Sequence, residues 1–523
     1  MPRTDRSFFY GITCLVLVLT IVPFLLAAQT GGDAYQFDGI LLNPLDGHTY
    51  LAKMYQGFRG DWRFTLPYTA DPGQGAYLNL FYLFLGHFAR LTPLSLTLTF
   101  SMARVFASGL LLGALYRFFE TTIPETRPRR VAFALSVLGS GMGWLLVPAG
   151  EFTADFWVAE TYPFLSMYSN PHFPLGLALV LWLLTPASPA APSEWSKGWG
   201  TAVVALILSI VNPFGIVVAV VVLAGWQGVV GWDALRRNAW EDFFRTSSFT
   251  RLMWTVAGGV PMLAYQVWAI RTDPALFGWD IQNLTPTPPW WDLLIAISPA
   301  VWLALLSWRK IGPPFSEGPS SIHLFAVWVV LALILILVPF GLQRRFMMGM
   351  YIPLAGLAAY GLETLARGKR TRARVGMVLL FLLALPTNLI VILAGQSGAR
   401  AHDLLLYRTQ AETLALRWLE TETPPDALVL AAPETGLIIP AFSGRQVIYG
   451  HPFETVRAEE EKQAVTDFFQ ALSEEEAKNF LLERRIDFIF YGPRERKLGA
   501  LPVSEGLERV FEARDVEIYR VEP

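Results

Sequence analysis

Asp46 stands in the run Leu45-Asp46-Gly47-His48-Thr49-Tyr50-Leu51-Ala52-Lys53-Met54, where apolar residues recur at helical spacing after the acid. A carboxylate at such a helix start can cap exposed backbone N–H groups. It can also take the proton of a hydroxyl as that hydroxyl attacks another centre. His48 and Lys53 lie close by and are candidates for substrate contact, the ordinary alternative being solvated loop charges. A second group is Glu160 and His172, in a segment that also carries Glu151 and Asp155 and ends on Ser169-Asn170-Pro171-His172. The plain reading there is that Glu151 and Asp155 are solvated while Asn170-Pro171 turns the chain. Arg344 and Arg345 interrupt apolar sequence between Phe340 and Met347, and Arg104 lies inside another apolar run. An unpaired cation within a membrane costs roughly 2.5–3.5 kcal/mol on insertion scales, so Arg104 calls for a partner.

The elements that position these groups follow from composition. The chain has 523 residues, 53% hydrophobic and 16% charged, with 18 Trp and 36 Phe, more apolar surface than one compact core can use. A formal net charge of -2 gives no bulk basic field for nucleic acid. The single cysteine, Cys14, excludes an internal disulfide or a Cys-based metal site. A helix that spans a bilayer needs roughly 20 mostly apolar residues. Spans are expected near 8 to 28, 97 to 118, 131 to 149, 172 to 187, 199 to 211, 214 to 231, 252 to 270, 288 to 307, 320 to 340, 346 to 366 and 374 to 396. Around Asn212-Pro213, two short spans fit the length better than one broken helix.

Lys and Arg in short loops are retained on the cytoplasmic side. Arg3 and Arg6, Arg127, Arg129 and Arg130, Arg236 and Arg237, Arg309 and Lys310, and the run Arg367, Lys369, Arg370, Arg372 and Arg374 all fall on one side of that threading. About eleven crossings then put the N-terminus in the cytoplasm and the C-terminus outside a plasma membrane. Residues 1 to 28 read as a retained anchor, since their apolar run is long for a signal peptide. Segments 29 to 96, 150 to 171 and 271 to 287, the Gly341 to Arg345 turn, and all that follows residue 397 face the exterior. Arg344 and Arg345 are therefore cations on the face where cations are disfavoured, and snorkelling is their bland explanation.

The fold class expected is a polytopic α-helical membrane protein, residues 1–398, with a C-terminal soluble α/β domain, residues 399–523. Helices are expected there at 408 to 421, 457 to 470 and 473 to 484, and strands near 427 to 431, 445 to 449, 486 to 491 and 508 to 521. Gly450-His451 reads as a turn, and no phosphate-binding glycine loop of recognised spacing occurs. In the first outer loop, residues 76 to 91 read as an aromatic helix of about 16 residues lying along the membrane surface.

Asp46, Tyr50, Ala52, Gly60-Asp61-Trp62 and Pro67, followed by the Phe81-Tyr82 helix and Arg104, resemble the polytopic GT-C glycosyltransferases over residues 40 to 118. That superfamily includes protein mannosyltransferases, aminoarabinose transferases and oligosaccharyltransferase catalytic subunits. Many relatives carry two adjacent acids, whereas Gly47 follows Asp46 here. The resemblance implies sugar transfer, with inversion, from a polyprenyl-phosphate donor to a glycan, lipid or protein acceptor outside the membrane. It makes Asp46 the acidic residue of the site, Glu160 a second acid, and Arg344 and Arg345, before Tyr351-Ile352-Pro353, the binders of the donor phosphate, whose charge grows as the bond breaks. A divalent cation is compatible but not indicated. A transporter or flippase, and a non-catalytic scaffold for envelope glycan assembly, are the rival classes. The first would show broken helices and midplane charges.

Overall fold

The computed structural model describes residues 3–186, 198–238, 243–244, 246–307, 319–503 and 505–522. Arg309 and Lys310, read as cytoplasmic charges, lie outside the described residues. Among the described residues four helical stretches are long and apolar enough to cross a membrane, Asp5–Thr30, Leu96–Thr122, Pro213–Arg236 and Arg370–Arg400. A fifth is added if Trp290–Ala296 and Ala300–Ser307, bent by 83°, count as one broken span. Four further apolar helices, including His172–Leu184, Trp199–Val211 and Ser321–Leu335, are shorter. Hydropathy alone does not distinguish these shorter pieces from full spans, because apolar sequence continues through the breaks between them.

The chain divides into two compact units. One comprises residues 1–23, 103–264 and 285–395. Its Asn212-Pro213 break separates two helices. Trp199–Val211 ends at Asn212, whose side chain accepts the Gly215 N–H and so starts Pro213–Arg236, with Pro213 where no backbone donor is needed. Pro171 likewise precedes His172–Leu184. Tyr351–Ala366 is buried along most of its length, in keeping with its apolar sequence, and its polar residues Tyr360, Glu363 and Thr364 share one partly exposed face near its C-terminal end.

The other unit comprises residues 24–102, 265–284 and 396–523. Strand β1, Tyr35–Phe37, pairs antiparallel with β2, Tyr407–Thr409, in the register Tyr35↔Thr409. The helix expected from 408 starts at Gln410, because Thr409 and Glu412 form a reciprocal capping box. Strands β3 (Leu428–Leu430), β4 (Gln446–Val447), β5 (Phe488–Tyr491), β6 (Leu507–Ala513) and β7 (Val516–Val521) form a sheet of order β4-β3-β5-β7-β6. β3 runs parallel to β4 and β5, and the rest is antiparallel. The expected strand 508 to 521 is a hairpin turning at Arg514, which holds a positive φ.

Two helices of the 29–96 loop belong to this unit. Pro44–Arg59 and Leu80–Leu91 cross in backbone contact: a Cβ on Gly57 would stand 2.1 Å from Leu83 O, and one on Gly86 1.9 Å from Met54 O. Only glycine at both positions allows that approach. The second helix is shorter than expected. Ala76 bridges to Phe64, and the left-handed Asn79 precedes the first helical residue. Pro44–Arg59 packs in turn on Pro433–Phe442, and the Tyr55 hydroxyl donates to Glu420 Oε1 at 2.6 Å.

Candidate functional site

Pro44 opens its helix and left-handed Asn43 precedes it, so Asn43 occupies the cap position that the sequence suggested for Asp46. Asp46 instead lies in the first helical turn, where its charge suits the helix dipole. Its side chain is 49% exposed, the His451 side chain facing it only 2%. His451 Nε2 stands 3.6 Å from Asp46 Oδ1. Tyr50 and Lys53 follow Asp46 at i+4 and i+7, on the same face of the helix. Tyr50 stacks on Tyr82 with ring centroids 4.3 Å apart.

Lys53 is not a solvated charge. It is buried, its ammonium 2.6 Å from Glu454 Oε1 and 4.9 Å from the centre of the Tyr50 ring. Such an ion pair is held by geometry and by further contacts, since both partners have left water. Glu454 donates its backbone N–H to His451 Nδ1, as Phe453 does, at 3.2 and 3.1 Å. His451 Nε2 and Glu454 Oε2 are buried and make no hydrogen bond among the described residues. One carboxylate open to solvent thus stands 3.6 Å from a buried ring nitrogen whose turn is tied, through Glu454 and Lys53, to the same helix.

His48 is fully buried, with Nδ1 at 2.7 Å from Pro44 O and Nε2 at 2.9 Å from Asp38 Oδ2. Arg408 donates through Nε to the other Asp38 oxygen at 2.6 Å. Burial raises the Asp38 carboxyl, but the Arg408 guanidinium and the His48 bond outweigh it and hold the group below its usual range. This triad braces β1 and β2 and leaves His48 no open edge for a substrate.

In the other unit, Glu160 and His172 are buried. The Glu160 carbonyl accepts the Gly349 N–H at 2.9 Å, and His172 packs on Phe173. The Arg344 guanidinium lies 4.7 Å from the Trp157 ring centre and that of Arg345 5.2 Å from Phe214, geometry in which the ring faces attract the cations. Arg104 is buried and donates to Thr20 O and Met167 O at 2.9 and 3.0 Å, so backbone carbonyls supply the partner its setting demands. Asp155, expected in solvent, is fully buried and bonded to the Thr153 hydroxyl and the Gly143 N–H. Glu151 is exposed, as expected.

Asp46, His48 and Lys53 therefore belong to one unit, and Glu160, His172, Arg104, Arg344 and Arg345 to the other. Among the described residues no group of three or more His, Cys, Asp or Glu side chains is arranged to hold a metal ion. Sequence reasoning missed His451, Glu454, Asp38 and Arg408. The one signal for the first two was Gly450-His451-Pro452-Phe453-Glu454, which places one of only six histidines beside an acid in a polar segment.

No family model and no curated protein matches the sequence. Solved structures resemble its fold. The oligosaccharyltransferase of Archaeoglobus fulgidus, tethered with an acceptor peptide containing the NVT sequon, superposes with a TM-score of 0.53 at 12% identity, over 93% of this chain and 69% of that one. The archaeal oligosaccharyltransferase AglB from the same organism, in complex with an inhibitory peptide and a dolichol-phosphate, gives 0.55 at 11% identity over the same shares. ArnT from Cupriavidus metallidurans bound to undecaprenyl phosphate gives 0.51 at 11% identity, over 97% of this chain and 98% of that one. The chain is a membrane protein of GT-C-like architecture.

Proposed function

We propose that the protein is a membrane glycosyltransferase that moves a sugar from a polyprenyl-phosphate donor to an acceptor hydroxyl or amide, with Asp46 as the proton acceptor. The observation that carries the reading is the setting of Asp46: a half-exposed carboxylate in the first turn of its helix, 3.6 Å from the buried His451, whose turn also carries the Glu454 that pairs with Lys53 of the same helix. Its support from outside is that structural neighbours sharing the fold include ArnT bound to undecaprenyl phosphate and AglB with a dolichol-phosphate. In this reaction the acceptor oxygen or nitrogen attacks the sugar carbon while Asp46 takes its proton. The bond to the phosphate oxygen breaks, and its electron pair leaves with the lipid phosphate. That leaving group is already a weak base, so only the acceptor needs a protein group to move a proton. Attack opposite the leaving group inverts the sugar carbon.

Arg344 and Arg345, considered within their own unit, are the candidates for the donor's phosphate. Guanidinium groups form forked bonds to phosphate oxygens, and Arg345 Nε makes no hydrogen bond among the described residues. The topology that goes with this reading has about eleven spans, a cytoplasmic N-terminus and the C-terminal segment outside the plasma membrane. A transporter is the second reading, favoured by the 83° bend between Trp290–Ala296 and Ala300–Ser307.

The test is sugar transfer by the purified protein in lipid, from a panel of radiolabelled polyprenyl-phosphate sugars to a membrane extract. The expected result is transfer by the native chain and a loss of about 10²-fold or more in Asp46→Asn, the scale of a general base. Undiminished transfer by the folded variant sinks the role of Asp46. Movement of a lipid-linked sugar across vesicles without transfer selects the transporter.

A further inference from the structure

The turn at Gly450–Glu454 fixes the protonation pattern of His451. Nδ1 accepts two backbone N–H groups, from Phe453 and Glu454. A ring nitrogen that accepts carries no hydrogen, so the neutral ring carries its hydrogen on Nε2. That N–H is buried, has no hydrogen-bond partner among the described residues, and stands 3.6 Å from Asp46 Oδ1. The separation is too long for a hydrogen bond, yet within the tightening that catalytic contacts undergo when a substrate enters. The mobility lies on one side. The ring is 2% exposed and tied by two amides, whereas the Asp46 side chain is half exposed. The turn is also pinned to the helix that carries Asp46, because Glu454 pairs with Lys53, two helical turns further along the same face.

We propose that His451 is a positioning residue for Asp46: its Nε2–H engages Oδ1 and turns the carboxylate so that Oδ2 receives the acceptor's proton. The inference rests on Asp46 being the base of the proposed transfer. A donor aimed at one oxygen removes the rotational freedom of the carboxylate before the proton moves. The C-terminal segment thereby supplies part of the site, a role that a separate accessory domain would not have.

Two substitutions separate the two edges of the ring. His451→Asn keeps an acceptor near Nδ1 for the turn and loses the donor at Nε2. His451→Gln reaches the Nε2 position with an amide N–H and loses the acceptor. With the donor and acceptor fractions that support transfer, His451→Asn is expected to lower kcat about tenfold or more with KM little changed, while His451→Gln keeps most of the activity. The reverse order, with His451→Gln impaired and His451→Asn near native, would show that only the turn matters and overturn the proposal. In an Asp46→Asn background His451→Asn should cost nothing more, and an additive loss overturns it equally. A thermal-unfolding cycle of the same single and double variants in detergent, run with the donor fraction bound and no acceptor, tests the contact apart from turnover. Non-additive midpoints support the contact and strictly additive ones remove it. Transfer that survives Asp46→Asn while this cycle remains non-additive discards the base and not the contact, so the two failures stay distinguishable.

Discussion

Asp38 in one unit and Asp155 in the other are both completely buried, and the two are compensated in opposite ways. Asp38 faces cationic or ionisable partners, Arg408 and His48, and its proton affinity is driven down against the pull of burial. Asp155 faces the Thr153 hydroxyl at 2.5 Å and the Gly143 N–H at 3.2 Å. For Asp155 burial dominates, these neutral donors only moderate it, and its pKa is pushed up to about 6. A hydroxyl or amide donor returns part of the lost hydration, whereas a full charge returns enough to keep the group ionised. The same residue type is thereby a fixed brace in one unit and a titrating group in the other.

Breaking the stronger compensation should have the largest effect. Arg408→Met leaves Asp38 buried beside His48 alone, and removal of one partner of a buried pair costs about 3–5 kcal/mol. Chemical unfolding of the purified protein should show a loss of that size, with hydrogen exchange rising first in peptides covering β1 and β2. A change below about 1 kcal/mol would mean that His48 suffices and that the compensation is not chiefly Arg408's.

The contrast in pH dependence comes next. Asp38 has a folded pKa below its unfolded value, so its contribution is present above pH 3.8 and is lost as pH falls through the lower folded value. Asp155 has the opposite sign. Its folded pKa of about 6 exceeds the ordinary 3.8, so its contribution is full below pH 3.8 and is lost as pH rises through about 6. The loss is on the order of 2–3 kcal/mol. Hydrogen exchange of peptides covering residues 143 to 156 should accelerate between pH 4 and pH 6 beyond the intrinsic chemical rate. Asp155→Asn should remove that excess. An excess that persists in Asp155→Asn assigns the titration elsewhere.

The asymmetry also shows what a sequence exposes. Membrane character and the C-terminal alternation of helices and short strands follow from apolar run length and periodicity, whereas the GT-C-like architecture is legible only as a family resemblance over the Asp46 to Arg104 pattern. Asp155 escapes such a reading because an acid between apolar segments looks like a solvated loop charge, and its compensating Thr153 and Gly143 donors have no distinctive spacing. Lys53 escapes it for another reason: its partner, Glu454, is 401 residues away. Arg408 pairs with Asp38 at a similar remove, 370 residues. Strands of two or three residues, such as β4 and β1, carry too little alternation to announce the pairing that brings such groups together. Thus the role proposed for Asp46 starts from the sequence, while its setting beside His451 comes from the structure alone.

The smallest effect probes the neutral compensation itself. Thr153→Val preserves the shape of the side chain and removes the hydroxyl that donates to Asp155 Oδ1. If neutral donors were incidental, the change would be silent. If they moderate burial, the ionised carboxylate loses one hydrogen bond that the protonated form needs less, so its pKa rises further above 6 and the pH window of local loosening moves upward with it. The expected cost is about 1 kcal/mol at neutral pH and less at pH 4, where Asp155 is protonated. Hydrogen exchange of the 143 to 156 peptides at the two pH values measures the difference. Equal costs at both would show that Thr153 acts through packing, and the distinction between the two buried carboxyls would then rest on Arg408 and His48 alone.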